Sequence, residues 1–236
     1  GAKFYKNKGT LPLSIKGSNS IKPIHYKELR GSAQCKSAVM IAALSAPGIT
    51  KLKCLPSRNH TEILYKNVLK IPLKIKKTKK FDYLEVKGIK KFKSFNYKIP
   101  GDISSAAFPI VLTLLAKKSK MVIKNVNINP TRTGLISILN LMGASIKFKN
   151  KRLYKGEKLA DIHVKSAKIL KGINCPIKFN TAAIDEFLLI FLVAARANNS
   201  SKFIKIHELN AKESRRLEWG FKILKMIGIK TKKIGN

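Results

Sequence analysis

One arrangement of segments recurs along this chain and limits what it can fold into. A small-residue apolar stretch at residues 32–45 predicts a helix, followed by a strand at 50–55, a helix at 61–69 and a strand at 73–76. The same order returns at 104–116, 121–126, 133–142 and 144–148, with Ser32 and Ser104, like Thr61 and Thr133, 72 positions apart. A third copy reads 184–197, 203–207, 213–226 and 229–232. Self-similarity of this kind marks repeated copies of one supersecondary unit. The pairs Met142-Gly143 and Ile227-Gly228 fill one helix-ending slot, where Gly supplies the left-handed cap. Further strands are predicted at 83–86, 97–99, 161–164 and 176–179. Strands alternating with helices predict an α/β (α+β) chain. The first helix of each copy is apolar nearly all round, which predicts burial.

A length of 236 residues suits two modest domains, and 44% hydrophobic residues can supply their cores. The turn Ile99-Pro100-Gly101-Asp102 can also cap the helix after it, so the boundary is placed there, with domains 1–97 and 98–236. Lys and Arg number 49 against 12 Asp and Glu, a net charge of +37. The lysines are spread along the chain and not interleaved with aromatics as a stacking platform requires, so no specific nucleic-acid partner is expected. Such a charge does suit anionic substrates. Cys35, Cys54 and Cys175 have neither paired nor metal-like spacing, and no secretion signal is present, which fits a reducing cytoplasm. No membrane span is expected, because the longest apolar stretch, 184–197, contains Asp185, Glu186 and Arg196. The chain opens on Gly-Ala-Lys and stops at Gly235-Asn236, and we expect a piece of a longer polypeptide, incomplete at both ends.

In a chain this poor in acids, two carboxylates stand at adjacent predicted helix starts: Asp185 in Ile184-Asp185-Glu186, and Glu213 in Lys212-Glu213-Ser214-Arg215-Arg216. Helix N-termini offer unpaired N–H groups and the positive end of the dipole, and Lys212, Arg215 and Arg216 add full charges. Such a place can hold an anionic substrate and keep one carboxylate for proton transfer.

The segments Ser32-Ala33-Gln34-Cys35-Lys36-Ser37, Ser57-Arg58-Asn59-His60-Thr61-Glu62, Pro100-Gly101-Asp102-Ile103-Ser104-Ser105, Asn129-Pro130-Thr131-Arg132-Thr133-Gly134, Ile184-Asp185-Glu186 and Lys212-Glu213-Ser214 occur in this order. Together they resemble the 5-enolpyruvylshikimate-3-phosphate (EPSP) synthase family, in particular its bacterial branch with a Lys two residues after the Gln. The resemblance implies two domains, each built of three βαβαββ units, with the active site in the cleft between them. On that plan residues 1–97 end the first lobe and 98–236 supply two units of the second. It implies transfer of the enolpyruvyl group of phosphoenolpyruvate to the 5-hydroxyl of shikimate 3-phosphate by addition and elimination, with release of phosphate, in a monomer without metal or cofactor.

The same resemblance implies roles. Ser32, Ala33 and Ser57 bind shikimate 3-phosphate, Gln34 bridges both substrates, and Lys36 adds charge near the phosphates. Asp185 orients shikimate 3-phosphate and takes the proton of the attacking hydroxyl. Lys212 contacts substrate, Glu213 protonates and then deprotonates the methylene carbon, and Arg216 clamps the carboxylate of phosphoenolpyruvate. From the residues themselves, Arg132 is read as structural or as supporting a substrate-contacting residue, Asp102 as a helix cap and hinge residue, and His60 as having no proton-transfer role. Two positions depart from the family pattern: Arg215 replaces an Asp, and Asn210 replaces a cation. N-terminal Lys-Ser, Arg and Gly-rich contacts and C-terminal His-Arg and Lys contacts have no counterpart, so little turnover is expected of this polypeptide alone. Alternative readings are UDP-N-acetylglucosamine enolpyruvyl transferase, against which the Ser-Ala-Gln-x-Lys-Ser and Lys-Glu-Ser segments speak, a basic nucleic-acid-binding module, and a degenerate structural remnant.

Overall fold

The computed structural model describes residues 3–7, 10–89, 91, 93–211 and 213–234. The chain divides into two compact units, Gly1–Tyr97 and Lys98–Asn236.

In the first unit, strands β1 (Lys3–Asn7) and β2 (Thr10–Lys16) form an antiparallel pair. The remainder runs β3 (His25–Glu28), α1 (Ala33–Ala43), β4 (Ile49–Cys54), α2 (His60–Leu64), β5 (Leu73–Lys77) and β6 (Asp82–Lys87). A π-helical turn, Tyr65–Leu69, extends α2. The sheet order is β3-β4-β6-β5, with β3 and β4 parallel and the other pairs antiparallel. Alternation sets the faces: Thr50, Leu52 and Cys54 of β4 and Asp82, Leu84 and Val86 of β6 are buried, while their neighbours look outward. Outside, Lys51 pairs with Glu85 directly opposite at 3.6 Å. Inside, Leu52, Leu84 and Val86 pack with Met40 and Ala43 of α1 and with Tyr65 and Ile71. Each large apolar side chain buried this way contributes roughly 1.5–3 kcal/mol.

The second unit contains α3 (Ile103–Leu115), β7 (Lys120–Asn127), α4 (Gly134–Leu141), β8 (Ser145–Tyr154), β9 (Glu157–Lys165), α5 (Phe187–Ala195) and α6 (Arg216–Met226). Its sheet is antiparallel in the order β7-β9-β8. Lys155 and Gly156, both at positive φ, make the two-residue turn between β8 and β9. β9 is the central strand, and Leu159, Ala160, Asp161 and Ile162 are buried in succession. Helices α3, α4 and α5 close over this sheet through Ile110, Leu114, Leu135, Ile138, Leu139, Phe187 and Ile190. As predicted, Gly143 and Gly228 end α4 and α6 at positive φ.

Four predicted strands are absent, three of them for a local reason. Around residues 97–99 the N–H of Lys98 donates to the Tyr154 hydroxyl at 3.0 Å. Pro176 lacks an N–H and opens a 3-10 turn, Ile177–Phe179, in place of the strand at 176–179. At 203–207 the carbonyls of Ile204 and Lys205 accept from the Asn180 side-chain amide, leaving a single bridge between Asn174 and Lys202. Residues 229–232 pair with no strand among the described residues. Helix burial also differs among the copies. Every residue of α5 is at least partly buried, whereas Ile41 on α1 and Phe108 and Leu112 on α3 are exposed.

Candidate active site

In the first unit the parallel pairing of β3 and β4 sets the geometry. Both strands end together, at Glu28 and Cys54, and the pairing runs on as Leu55 N–H donates to Glu28 O at 3.1 Å. The loop into α1 and the loop into α2 therefore start side by side, the place where parallel sheets commonly hold ligands. Glu28, almost fully buried, accepts from the N–H groups of Arg30 (2.9 Å) and Gly31 (2.8 Å) and fixes the first loop. Gly31 sits at φ +72°, a turn that suits glycine. Ser32 then caps α1, its Oγ accepting from Cys35 N–H at 3.2 Å. Ala33 and Gln34 form the first turn, whose N–H groups have no partner within the helix. The Gln34 side chain is exposed.

Ser57, in the second loop, is 8% exposed, and its hydroxyl has no hydrogen-bond partner among the described residues. A buried hydroxyl left this way costs free energy unless a ligand or water completes it. Lys36, from which charge near the phosphates was expected, is paired inside the unit. Its ammonium is fully buried and donates to Glu62 Oε1 at 2.6 Å and to the Arg58 carbonyl at 2.7 Å, so its charge is engaged inside the unit.

In the second unit the two acids singled out by sequence share one cation. The Arg216 guanidinium donates from Nη1 to Asp185 Oδ1 at 2.9 Å and from Nη2 to Glu213 Oε2 at 3.1 Å. Asp185 and Arg216 are about three-quarters buried, and Glu213 is exposed. Packing produces this meeting. Gly220 lets α6 approach α5, for a Cβ there would lie 3.0 Å from the Phe191 ring, and one turn earlier Arg216 comes level with Asp185. Gly134 permits a second close approach, because its Cβ would lie 2.6 Å from the Ala182 carbonyl carbon in the turn that leads to Asp185. Asn180 clips that turn to residues 204 and 205. Lys212 lies outside the described residues. Asn210, in place of a cation, accepts from the N–H groups of Leu217 (3.0 Å) and Glu218 (3.3 Å) and so caps α6. Arg215, in place of an acid, pairs with Glu218 at 3.4 Å on the surface.

A part-buried network centred on the buried Glu186 was not anticipated from the sequence. Glu186 accepts from Ser104 Oγ; Ser104 Oγ accepts from Arg132 Nη2 at 2.6 Å, and the same nitrogen donates to Asp102 Oδ1 at 3.0 Å. It joins the starts of α3, α4 and α5. Burial pushes the Glu186 carboxyl above its usual range; the Ser104 hydrogen bond opposes this and the neighbouring Asp185 charge adds to it. At Asp102 partial burial works the other way, yet the Ser105 N–H and the Arg132 charge hold its carboxyl below the usual range. Two signals in the sequence pointed here. Ser104 and Arg132 stand 72 positions after Ser32 and His60, and Glu186 is an acid inside an apolar run. Among the described residues no three His, Cys, Asp or Glu side chains gather as a metal-holding group, and no helix is long and apolar enough to cross a membrane.

Repeated units of this kind, strands alternating with helices, make up the enolpyruvyl transferase fold. A family model described as EPSP synthase (3-phosphoshikimate 1-carboxyvinyltransferase) matches residues 1–235, and the chain belongs to that family. It is 41% identical to the 3-phosphoshikimate 1-carboxyvinyltransferase of Ruthia magnifica over 231 residues, covering 98% of this chain and 52% of that protein. It is 39% identical to the one from Legionella pneumophila, covering 92% of this chain and 49% of that protein. Among solved structures, EPSP synthase from Acinetobacter baumannii superposes with a TM-score of 0.81 at 38% identity, over 98% of this chain and 51% of that one. The enolpyruvyl transferase NikO from Streptomyces tendae, 12% identical with a TM-score of 0.58 over 84% of this chain and 47% of that one, shares the fold. The chain spans about half the length of the curated relatives it matches.

Proposed function

We propose that this chain carries part of a 3-phosphoshikimate 1-carboxyvinyltransferase, which moves the enolpyruvyl group of phosphoenolpyruvate onto the 5-hydroxyl of shikimate 3-phosphate. The observation that carries this reading is Arg216 spanning Asp185 and Glu213. Two carboxylates held by one guanidinium fork are fixed in place for proton transfer, and the fork keeps donors for a substrate carboxylate. In the addition step Asp185 takes the proton of the attacking hydroxyl as its oxygen bonds to C2 of phosphoenolpyruvate, and Glu213 delivers a proton to the methylene carbon. In the elimination step Glu213 removes a proton from the resulting methyl group while the C2–O bond to phosphate breaks. Atoms balance without redox chemistry: the hydroxyl proton passes to Asp185 and from there to the departing phosphate, and one proton is lent and recovered by Glu213. Ser32, Ala33, Gln34 and Ser57 hold shikimate 3-phosphate, and Lys212 contributes charge. The unpartnered Ser57 hydroxyl and the open first turn of α1 support that assignment.

The test is phosphate release from phosphoenolpyruvate in the protein at its relatives' length, with shikimate 3-phosphate or UDP-N-acetylglucosamine as acceptor. Release with the first alone, lowered about 10²- to 10⁴-fold in Asp185→Asn and in Glu213→Gln, is expected. Release only with the UDP-sugar, or undiminished rates in both variants, overturns the reading.

A further inference from the structure

Lys36 and Glu62 belong to separate sequence segments, 26 residues apart, and meet inside the first unit at 2.6 Å with both side chains buried. Taking two charges out of water is costly, and an apolar pair of similar size would commonly serve stability as well or better. The second hydrogen bond of Lys36 shows what the pair provides. It goes at 2.7 Å to the carbonyl of Arg58, the residue directly after Ser57. A cross-link 2.7 Å long joins the Oγ of Ser37, the residue after Lys36, to the Oγ1 of Thr61, the residue before Glu62. The loop between β4 and α2 is thereby tied from within to α1, whose N-cap, Ser32, lies four residues before Lys36. Ser57, inside that loop, keeps its buried hydroxyl unspent.

We propose that the Lys36–Glu62 pair is a positioning device that holds the Arg58 peptide, and with it the Ser57 hydroxyl, in register with the start of α1 for the phosphate of the substrate. Lys36 acts through the loop and does not touch the ligand. The inference rests on the reading of Ser57 as a phosphate ligand given above, and its test separates the two.

Lys36→Met, Glu62→Gln and the double variant are compared by amide hydrogen exchange of Arg58–His60 and by titration with shikimate 3-phosphate. Exchange of those amides is expected to rise about tenfold in all three. The dissociation constant is expected to rise about tenfold in each single variant, and no further in the double, because both changes break one device. The control Ile71→Val weakens the same core without touching the loop, and leaves local exchange at Arg58–His60 and ligand affinity unchanged beyond its effect on overall stability. Should Lys36→Met not fold, the double variant, which buries no unpaired charge, decides. Binding weakened by Lys36→Met but unchanged or tightened by Glu62→Gln means that Lys36 reaches the ligand directly, and overturns the proposal. Unchanged exchange in the double variant does so too. If the unaltered chain does not bind shikimate 3-phosphate, the functional reading loses its support, while the exchange measurement still judges the loop.

Discussion

Ser32 and Ser104 occupy the same step of the repeat, yet Ser32 only caps its own helix while Ser104 is locked between Arg132 and Glu186. The loops that follow differ in the same sense. Ser57 leaves a buried hydroxyl unsatisfied, whereas Asn129, 72 positions later, accepts from both the N–H and the hydroxyl of Thr131. The first, open copy leaves the Ser57 hydroxyl without a partner among the described residues; in the second, closed copy the matching polar groups are bonded to each other. A polar residue at a helix start is therefore no site by itself. What separates the two cases is whether the surrounding chain completes its hydrogen bonds.

The closed copy is expected to respond in stability, and most strongly. Arg132→Ala removes donors from Ser104 and Asp102 around a buried carboxylate, and should lower the unfolding free energy by about 2–4 kcal/mol in urea titrations. A loss below about 0.5 kcal/mol would mean that the network is not holding the three helix starts. The open copy should respond in binding. Ser57→Ala takes away a hydroxyl with no protein partner, so stability should hold or rise slightly, while affinity for shikimate 3-phosphate falls about tenfold or more. Equal loss of stability and affinity would erase the distinction.

A smaller effect separates the two carboxyls of the closed copy by pH. Glu186 titrates above its ordinary value of 4.5, so the folded state holds its proton longer than the unfolded one. Its contribution is complete below that value and is lost as pH rises through the folded pKa. Asp102 titrates below its ordinary value of 3.8, so its contribution is present above that value and lost as pH falls through the folded pKa. Glu186→Gln should thus flatten the decline of stability above about pH 4.5 and leave the acid limb unchanged. Curves that superpose at all pH values would show that Glu186 is not carrying its proton into that range. Least of all, alkylation should label the exposed Cys35 first, with Cys54 and Cys175 protected until unfolding; burial pushes the Cys54 thiol up to about 11 and the Cys175 thiol in the same direction. Fast labelling of Cys54 in the folded protein would contradict the packing of β4 against α1.

Much of this was legible in the chain. Spacing located the helices α1 to α6 to within a few residues, and the helix-start pattern picked out Asp185, Glu213 and Arg216, which the fold brings together. Sequence failed where side chains replace backbone partners. The amide of Asn180 takes the carbonyls that a strand at 203–207 would have used, and the Tyr154 hydroxyl takes the N–H of Lys98. The burial of Lys36 was not legible for a related reason. A charged residue in a helix reads as surface, and only the fold reveals that Glu62 waits beneath it. Strands β1 to β3 also escaped notice, since no repeat frames them.

The most direct measurement is a titration of the isotope-labelled chain with shikimate 3-phosphate, following amide resonances at both copies. Saturable shifts at Ser32–Cys35 and Ser57, with Asp102–Ser105 and Asn129 unmoved, are the expected result. Shifts centred on Asp102–Ser105 and Asn129, or at neither place, would contradict the assignment of the open copy as the anion-binding half of this chain.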